Sequence, residues 1–387
     1  MTTNKWMKQL LKHDRAVSFD YDPFTNVLRT GSPSFDYIYG NTHGLPFGYS
    51  EVLWGPPKGG KTFVTNCKIA QLHAMDPDAI ALLYSTEMRA ELQLNRRSMM
   101  KFGIDPDRIA VYNTNKPEDI FDHISGPVAA MCQGGAKIRY IVVDSTSDIV
   151  GRRTQDASSI LQQQIGDEAK TLQDGLKQVK PVIRDHRIAV SLIAQARAEM
   201  DQLEQKRGNK LKMSGAWALK HFAEYFIYVE MNANKVAKVD LQGNAFIMDS
   251  MHDQLGENRA AAKHRVVMKG NSAGPAGRAG EFTLDYNTGI TNIYEEAFLL
   301  GTAQGVVLKP NQQTYVVPDW PTKGEATTFR GKPDFITALK DNTYLTAEVL
   351  KRVRELDVIA METGKPIHGL VEQAGTVPAL EFNLSSE

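Results

Sequence analysis

The run Gly55-Pro56-Pro57-Lys58-Gly59-Gly60-Lys61-Thr62 fits the spacing G-x-x-x-x-G-K-[ST]. That spacing suits a triphosphate. Glycine at both ends lets backbone amides curl round a phosphate without a Cβ in the way. Those amides, and the start of the helix that follows, favour an anion. The Lys61 ammonium is expected to reach the β- and γ-phosphates. The Thr62 hydroxyl is expected to hold Mg²⁺, with Phe63 closing the run. A glycine turn that merely joins strand to helix is the bland alternative. Two acids complete the candidate site. Asp144 ends the apolar run Tyr140-Ile141-Val142-Val143 and so falls at a strand's carboxyl edge, where it can bind Mg²⁺ directly or through water. The next residue is Ser145, where many ATPases with a GPPxxGK loop carry a water-polarising glutamate. Glu87, which follows the strand-like ALLYS in the triplet TEM, is the substitute. A capping role for Asp144 and a solvated loop role for Glu87 are the competing readings.

These residues need a scaffold of strands and helices. Apolar strand-like runs lie at EVLW (51–54), AIALLYS (79–85), RIAVYN (108–113), KIRYIVV (137–143) and RIAVSLIA (187–194). Helical patterns such as KTFVTNCKIAQLHAM (61–75) and EAKTLQDGLKQVKPVIRD (168–185) lie between them. Buried strands alternating with helices predict a doubly wound, mostly parallel α/β sheet. After residue 224 the pattern reads as strands, with YFIYVEMN, HRVVMK, EFTLDY and TNIY as an antiparallel extension. Residues 151–166, 197–215 and 270–280 read as loops. The segments ATTFRGKPDFITALKDN and TAEVLKRVRELDVIAME read as two helices of a small α-rich C-terminal domain. Residues 4–12 suggest a short helix and 16–21 a strand. The expected division is 1–26 for contact between protomers, 27–297 for the core, and 298–387 for the small domain with a flexible tail.

Composition narrows the function classes. The chain has 387 residues, 42% hydrophobic and 23% charged, which excludes wholesale disorder and a fibrous protein. A single core stops growing near about 250–300 residues, so one large unit plus a smaller one is expected. Lys+Arg and Asp+Glu are 45 each, so a diffuse basic coat is excluded and any anion site must be local. Two cysteines, Cys67 and Cys132, read as buried thiols in a reducing compartment. No apolar run approaches the ~18 residues of a membrane span. The start, MTTNKWMKQLLKHDR, lacks the apolar stretch of a signal peptide, so a cytoplasmic location is expected.

Taken with their flanks, these motifs resemble the RecA recombinase family, including its phage UvsX-type members. The likeness runs from VLRTGSPSFD (27–36) through GLPFGYSEVLWGPPKGGKT, TEM, IVVDSTSDIV, IGDEAK, SLIAQAR and SGAWALKHFAEY. It continues through VVMKGN and GEFTLDYNTGITNIYEEAFLLG to GKPDFITALKDN and VLKRVREL, and so covers about residues 27–357. The resemblance implies a RecA-like ATPase core and an ATP-driven recombinase. Such a protein forms helical filaments of identical protomers on single-stranded DNA, pairs homologous duplex and exchanges strands, with DNA-stimulated hydrolysis of ATP bound with Mg²⁺ between protomers. It implies Glu87 as the catalytic glutamate and Gln195 as the sensor of the γ-phosphate. A single-strand-binding protein and a loader are conceivable partners.

The family's two DNA loops fall on 151–167 and 196–214. The first carries Arg152 and Arg153 and is followed by a helix bearing Lys170 and Lys177. The second carries Arg197, Lys206, Arg207, Lys210 and Lys212, diluted by Glu199, Asp201 and Glu204, and the segment ends at Gly215. Taken alone, such a charge run is usually a solvated face. Two departures stand out. The family places two basic residues in the segment matching Val267–Ser272, reaching the neighbour's ATP. Here Lys269 matches the first, but the second position is Asn271. His221 stands where an aromatic residue is common at the protomer boundary, and reads first as packing. A hexameric helicase of the same fold and a non-enzymatic nucleotide-dependent regulator are the alternatives. The helicase would carry a trans arginine near the last strands, and the regulator would dispense with Glu87.

Overall fold

The computed structural model describes residues 26–88, 95–149, 167–199, 206, 211–213, 216–231, 238–239, 245–246, 261–286 and 288–363. The expected N-terminal helix and strand and the C-terminal tail lie outside them. In chain order the elements begin with β1 (Val27–Leu28), α1 (Pro33–Tyr37), β2 (Leu45–Pro46), β3 (Ser50–Gly55) and α2 (Lys61–Met75). They continue with β4 (Ile80–Ser85), α3 (Arg96–Phe102), β5 (Ile109–Asn113), α4 (Pro117–His123), α5 (Ala129–Gln133) and β6 (Ile138–Asp144). After these come α6 (Asp167–Asp185), β7 (Ala189–Ala198), β8 (Leu211–Met213), α7 (Ala216–Phe222) and β9 (Tyr225–Met231). The antiparallel part comprises β10 (Lys238–Val239), β11 (Ala245–Phe246), β12 (Ala261–Asn271), β13 (Ala279–Asp285) and β14 (Gly289–Thr291). The last elements are α8 (Ile293–Ala303), β15 (Leu308–Asn311), β16 (Thr314–Pro318), β17 (Ala326–Arg330), α9 (Gly331–Asp341) and α10 (Thr343–Thr363).

One large sheet runs in the order β11-β10-β12-β9-β3-β7-β6-β4-β5, with β13 and β14 joined beyond β12. The strands from β9 to β5 are parallel, and those joined through β12 are antiparallel. The parallel strands bury both faces, as their continuous apolar runs require. Neighbouring residues on β3 enter different cores. Leu53 packs with Val64 and Ile69 of α2 and Phe102 of α3, while Val52 packs with Phe121 of α4 and Leu176 of α6. Gly175 allows that second contact, because a Cβ there would run into the Phe121 ring.

Three observations differ from expectation. TNIY is not a strand: β14 stops at Thr291, Asn292 turns the chain with φ 63°, and α8 begins at Ile293. Glu295, an ionised carboxylate in the first turn of α8, favours the positive end of that helix. The C-terminal region is less helical than expected, since β15, β16 and β17 form a separate antiparallel sheet beside α9 and α10. Finally, Cys67 is buried but Cys132 is only half-buried, and both are free thiols.

The C-terminal elements gather around their own apolar cluster of Phe298, Val317, Phe335, Leu339 and Val349. They are fastened to the core by charge. Arg278 donates two hydrogen bonds of 2.8 Å to Asp357 of α10, and His43 Nε2 lies 2.6 Å from the same carboxylate. Burial alone would raise Asp357, but these partners hold it below its ordinary value. Close by, Glu296 Oε2 accepts from Ser32 Oγ at 2.6 Å and from Ser34 N at 2.9 Å, which secures the start of α1. Its Oε1 has no hydrogen-bond partner among the described residues, and burial pushes the carboxyl up to about 8.

A carboxyl held protonated in the fold stabilises most below its unfolded pKa, and that stability drains as pH rises toward about 8. Glu296→Gln, which mimics the protonated form, should match the parent's melting temperature near pH 5. It should exceed the parent by on the order of a few kcal/mol at pH 8. Thermal melts across that range test this, and parallel curves for the two proteins would contradict it.

Candidate active site

The phosphate-binding loop bridges β3 and α2, and its shape follows from close packing. A Cβ on Gly55 would strike the Val229 carbonyl oxygen of β9. Gly60, at φ 90°, faces His264 of β12, whose ring would lie 2.9 Å from an added Cβ. His264 is fully buried, its Nδ1 lies 3.0 Å from the Ala262 carbonyl, and burial lowers its pKa to about 4. It is therefore a neutral ring that fills the space behind the loop.

Both arms of the loop are anchored below it. Lys68, two turns into α2, donates to Glu51 of β3 and, at 2.8 Å, to the Tyr39 hydroxyl. Glu51 also accepts from Tyr39 and from Ser191 of β7, and Ser191 accepts from Tyr140 of β6 at 2.7 Å. The Lys68 and Glu51 side chains have no exposed surface.

The sheet register puts the chemistry along one edge. Gly55 pairs with Gln195, and Ser85 pairs with Asp144. Thr62 donates 2.6 Å to Asp144 Oδ2, and Gln195 Nε2 donates 2.9 Å to Glu87 Oε1. Lys61 donates to the carbonyls of Gly55 at 3.0 Å and Pro56 at 2.8 Å. Burial lowers its ammonium to about 8, and Asp144 opposes that shift. Lys61, Thr62, Glu87, Asp144 and Gln195 line a cavity of about 720 Å³, together with Pro57, Lys58, Gly59, Gly60 and Phe63, whereas Gly55 and Pro56 lie outside its lining. This volume lies within the range of small-molecule sites.

A glycine cradle, one lysine and a hydroxyl–carboxylate pair suit a triphosphate with Mg²⁺. That metal takes few protein ligands and keeps phosphate oxygens and waters. No group of three or more His, Cys, Asp or Glu residues suited to a metal is found among the described residues.

The cavity also contains residues that sequence reasoning did not single out: Asn66, Ser98, Phe102, Met231 and Tyr286. The Phe63 ring lies 5.9 Å from Phe102 and 5.3 Å from Tyr286, centroid to centroid, making one wall aromatic. Asn66, Ser98, Phe102, Met231 and Tyr286 come from four distant segments with no shared spacing, so only the fold reveals them.

The other predicted residues scatter over the surface or lie beyond view. Lys170 and Lys177 are exposed on α6, and Lys206 is exposed. The base of the segment 197–215 is not a loop. It is a strand pair in which Arg197 of β7 stands opposite Lys212 of β8, both exposed. Like charges directly opposite are unfavourable without an anion, although Lys212 also reaches Glu199 at 3.2 Å. Arg152, Arg153, Arg207, Lys210 and Gly215 lie outside the described residues. Lys269 is exposed at an irregularity of β12, with its ammonium 5.9 Å from the centre of the Tyr228 ring. His221 is exposed on α7.

Lys61 yields a pH prediction. Phosphates beside it raise its pKa, so binding takes up a proton, and affinity for Mg²⁺–ATP should fall as pH rises through about 8. The fall should approach tenfold per pH unit. Calorimetry between pH 7 and 9.5 would read this slope. Lys61→Arg, which stays charged, should abolish it.

A family described as the RecA N-terminal domain matches residues 19–290. The chain is 24% identical over 356 residues to Protein RecA of Herpetosiphon aurantiacus, covering 91% of this chain and 87% of that one. It is 24% identical over 352 residues to Protein RecA of Kineococcus radiotolerans, covering 91% and 89%. It is 23% identical over 341 residues to Protein RecA of Thermus thermophilus, covering 88% of each.

Proposed function

The chain belongs to the RecA family, and from that premise we infer how its own residues carry out the work of an ATP- and Mg²⁺-using recombinase. It is a DNA-dependent ATPase and DNA recombinase, and its family assembles as filaments on DNA. The observation that carries the assignment of roles is the single edge holding Gly55, Gln195, Asp144 and Glu87 side by side.

In the proposed mechanism the amides of 55–62 cradle the phosphates. Lys61 leaves the Gly55 and Pro56 carbonyls and neutralises charge at the β- and γ-positions. Thr62 and Asp144, hydrogen-bonded to each other here, are the residues that would hold Mg²⁺, which would supply positive charge to the phosphates. The wall of Phe63, Phe102 and Tyr286 receives the base. Glu87 orients and polarises the attacking water, and Gln195 divides its amide between Glu87 and the terminal phosphate. Movement of Gln195 passes along β7 to Arg197 and the β8 stem, so nucleotide state alters the DNA face. Lys170, Lys177, Arg197, Lys206 and Lys212, and the residues Arg152, Arg153, Arg207, Lys210 and Gly215 that lie outside the described ones, are proposed to contact DNA. Each contact is weak, and repetition along a strand makes binding firm.

Lys269 is proposed to act in trans on the neighbouring protomer's ATP, in the manner of an arginine finger. The division at 26 and 298 is likewise proposed, the second boundary supported by the separate apolar cluster around Phe298 and Phe335. The segment GKPDFITALKDN favours the UvsX-type branch. No described helix is long and apolar enough to cross a membrane, and a cytoplasmic site of action is proposed. A single-strand-binding protein and a loader belong to the same proposal.

Hydrolysis should rise sharply when single-stranded DNA is added. Lys61→Ala should lower kcat by about 10²-fold or more. Electron microscopy with DNA and a slowly hydrolysed ATP analogue should show open helical filaments. Closed six-membered rings, or turnover indifferent to DNA, would overturn the assignment.

A further inference from the structure

Thr86 stands immediately before Glu87, yet its side chain points away from solvent and is only 4% exposed. Its hydroxyl accepts a 2.7 Å hydrogen bond from Ser145 N and donates a 2.6 Å bond to Ser145 O. Its own backbone N–H donates 2.8 Å to the Asp144 carbonyl. One residue thus holds both backbone polar groups of Ser145 and the carbonyl of Asp144. Ser145 is itself buried, at 1% exposure, so these groups have no ready access to water.

The far side of the same turn is stitched to β7. Thr146 Oγ1 donates 3.1 Å to the Ile193 carbonyl, and Ser147 Oγ accepts 3.0 Å from Gln195 N. The segment 144–147 therefore bridges the ends of β4 and β7, and Thr86 is its fastening on the β4 side. Ladder pairing alone stops at Ser85 opposite Asp144. Beyond that pair, the Thr86 bonds continue the strand-to-strand link into the turns that carry the chemistry.

We propose that Thr86 is a positioning residue: its hydroxyl fixes the separation between the metal-binding carboxylate of Asp144 and the water-polarising carboxylate of Glu87. The proposal rests on the roles given above to Asp144 and Glu87. Its physical content is that two catalytic groups on different strands keep their spacing through one side chain rather than through the sheet alone. A small misplacement of such groups costs catalysis far more than it costs binding.

The test compares the full-length parent with Thr86→Val, which keeps the shape but removes the hydroxyl, and with Thr86→Ser, which restores it. Steady-state hydrolysis with single-stranded DNA should show kcat lowered roughly 10- to 100-fold in Thr86→Val, with KM for ATP changed less than about threefold. The Mg²⁺ concentration for half-maximal rate should rise several-fold. Thr86→Ser should recover most of both. In the double variant Thr86→Val with Glu87→Gln, measured at saturating Mg²⁺, kcat should fall by less than the product of the two single losses, because the Glu87 share of the misplacement has nothing more to lose.

Parental kcat and Mg²⁺ dependence in a folded Thr86→Val protein would overturn the proposal, as would additive losses in the double variant. If Thr86→Val does not fold, Thr86→Cys gives the same comparison through its weaker hydrogen bonds, and parental Mg²⁺ dependence there would likewise overturn it. A parent that neither binds nor hydrolyses ATP would instead overturn the reading of the site, so the two failures are distinct.

Discussion

A buried charge pair sets the geometry on which the site depends. Glu51 and Lys68 lie on opposite sides of the phosphate loop in sequence, one in the strand entering it and one in the helix leaving it. Removing two charges from water is expensive, and their mutual attraction compensates only when other hydrogen bonds satisfy them. Here Tyr39 and Ser191 supply those bonds. The network admits one arrangement of β3, α2 and β7 and leaves either charge badly stranded in any other. Loss of one partner from such a pair costs about 3–5 kcal/mol. The loop above has little latitude, since glycine is required where Val229 and His264 close in.

Above that base, the polar groups of the site satisfy one another. Lys61 rests on two carbonyls, Thr62 on Asp144, and Gln195 on Glu87. In the proposed mechanism these side chains serve phosphate, metal and water, so each hydrogen bond holds a group that binding would release. Binding therefore exchanges one set of hydrogen bonds for another, with short movements of side chains on a fixed frame.

Much of this was legible in the sequence where one signal acts alone. The helix 61–75 was read to its ends, because a glycine-rich turn starts it and Asp76 leaves helical geometry. The parallel strands were legible because burial on both faces leaves continuous apolar runs. The C-terminal sheet was not. Leu308–Asn311 is exposed throughout and contains Pro310, which argues against a strand except at an edge, and β15 is an edge. The pairing of Arg197 with Lys212 was hidden for another reason: a charge-rich segment carries no alternation of apolar residues to betray a hairpin. Within the site, Lys61, Thr62, Asp144 and Glu87 came from local patterns. Thr86, Phe102 and Tyr286 matter only because folding brings distant segments together.

Strand geometry has a last consequence for β7. Side chains alternate from face to face along a strand, so Gln195 and Arg197 share one face about 7 Å apart, while Ala196 between them turns to the other. The strand is thus a ruler with odd and even marks. Inserting a single residue between the two would throw the guanidinium to the opposite side of the ribbon, whereas inserting two would restore its side and only lengthen the reach. Variation in this stretch among related chains is therefore constrained in parity before it is constrained in composition.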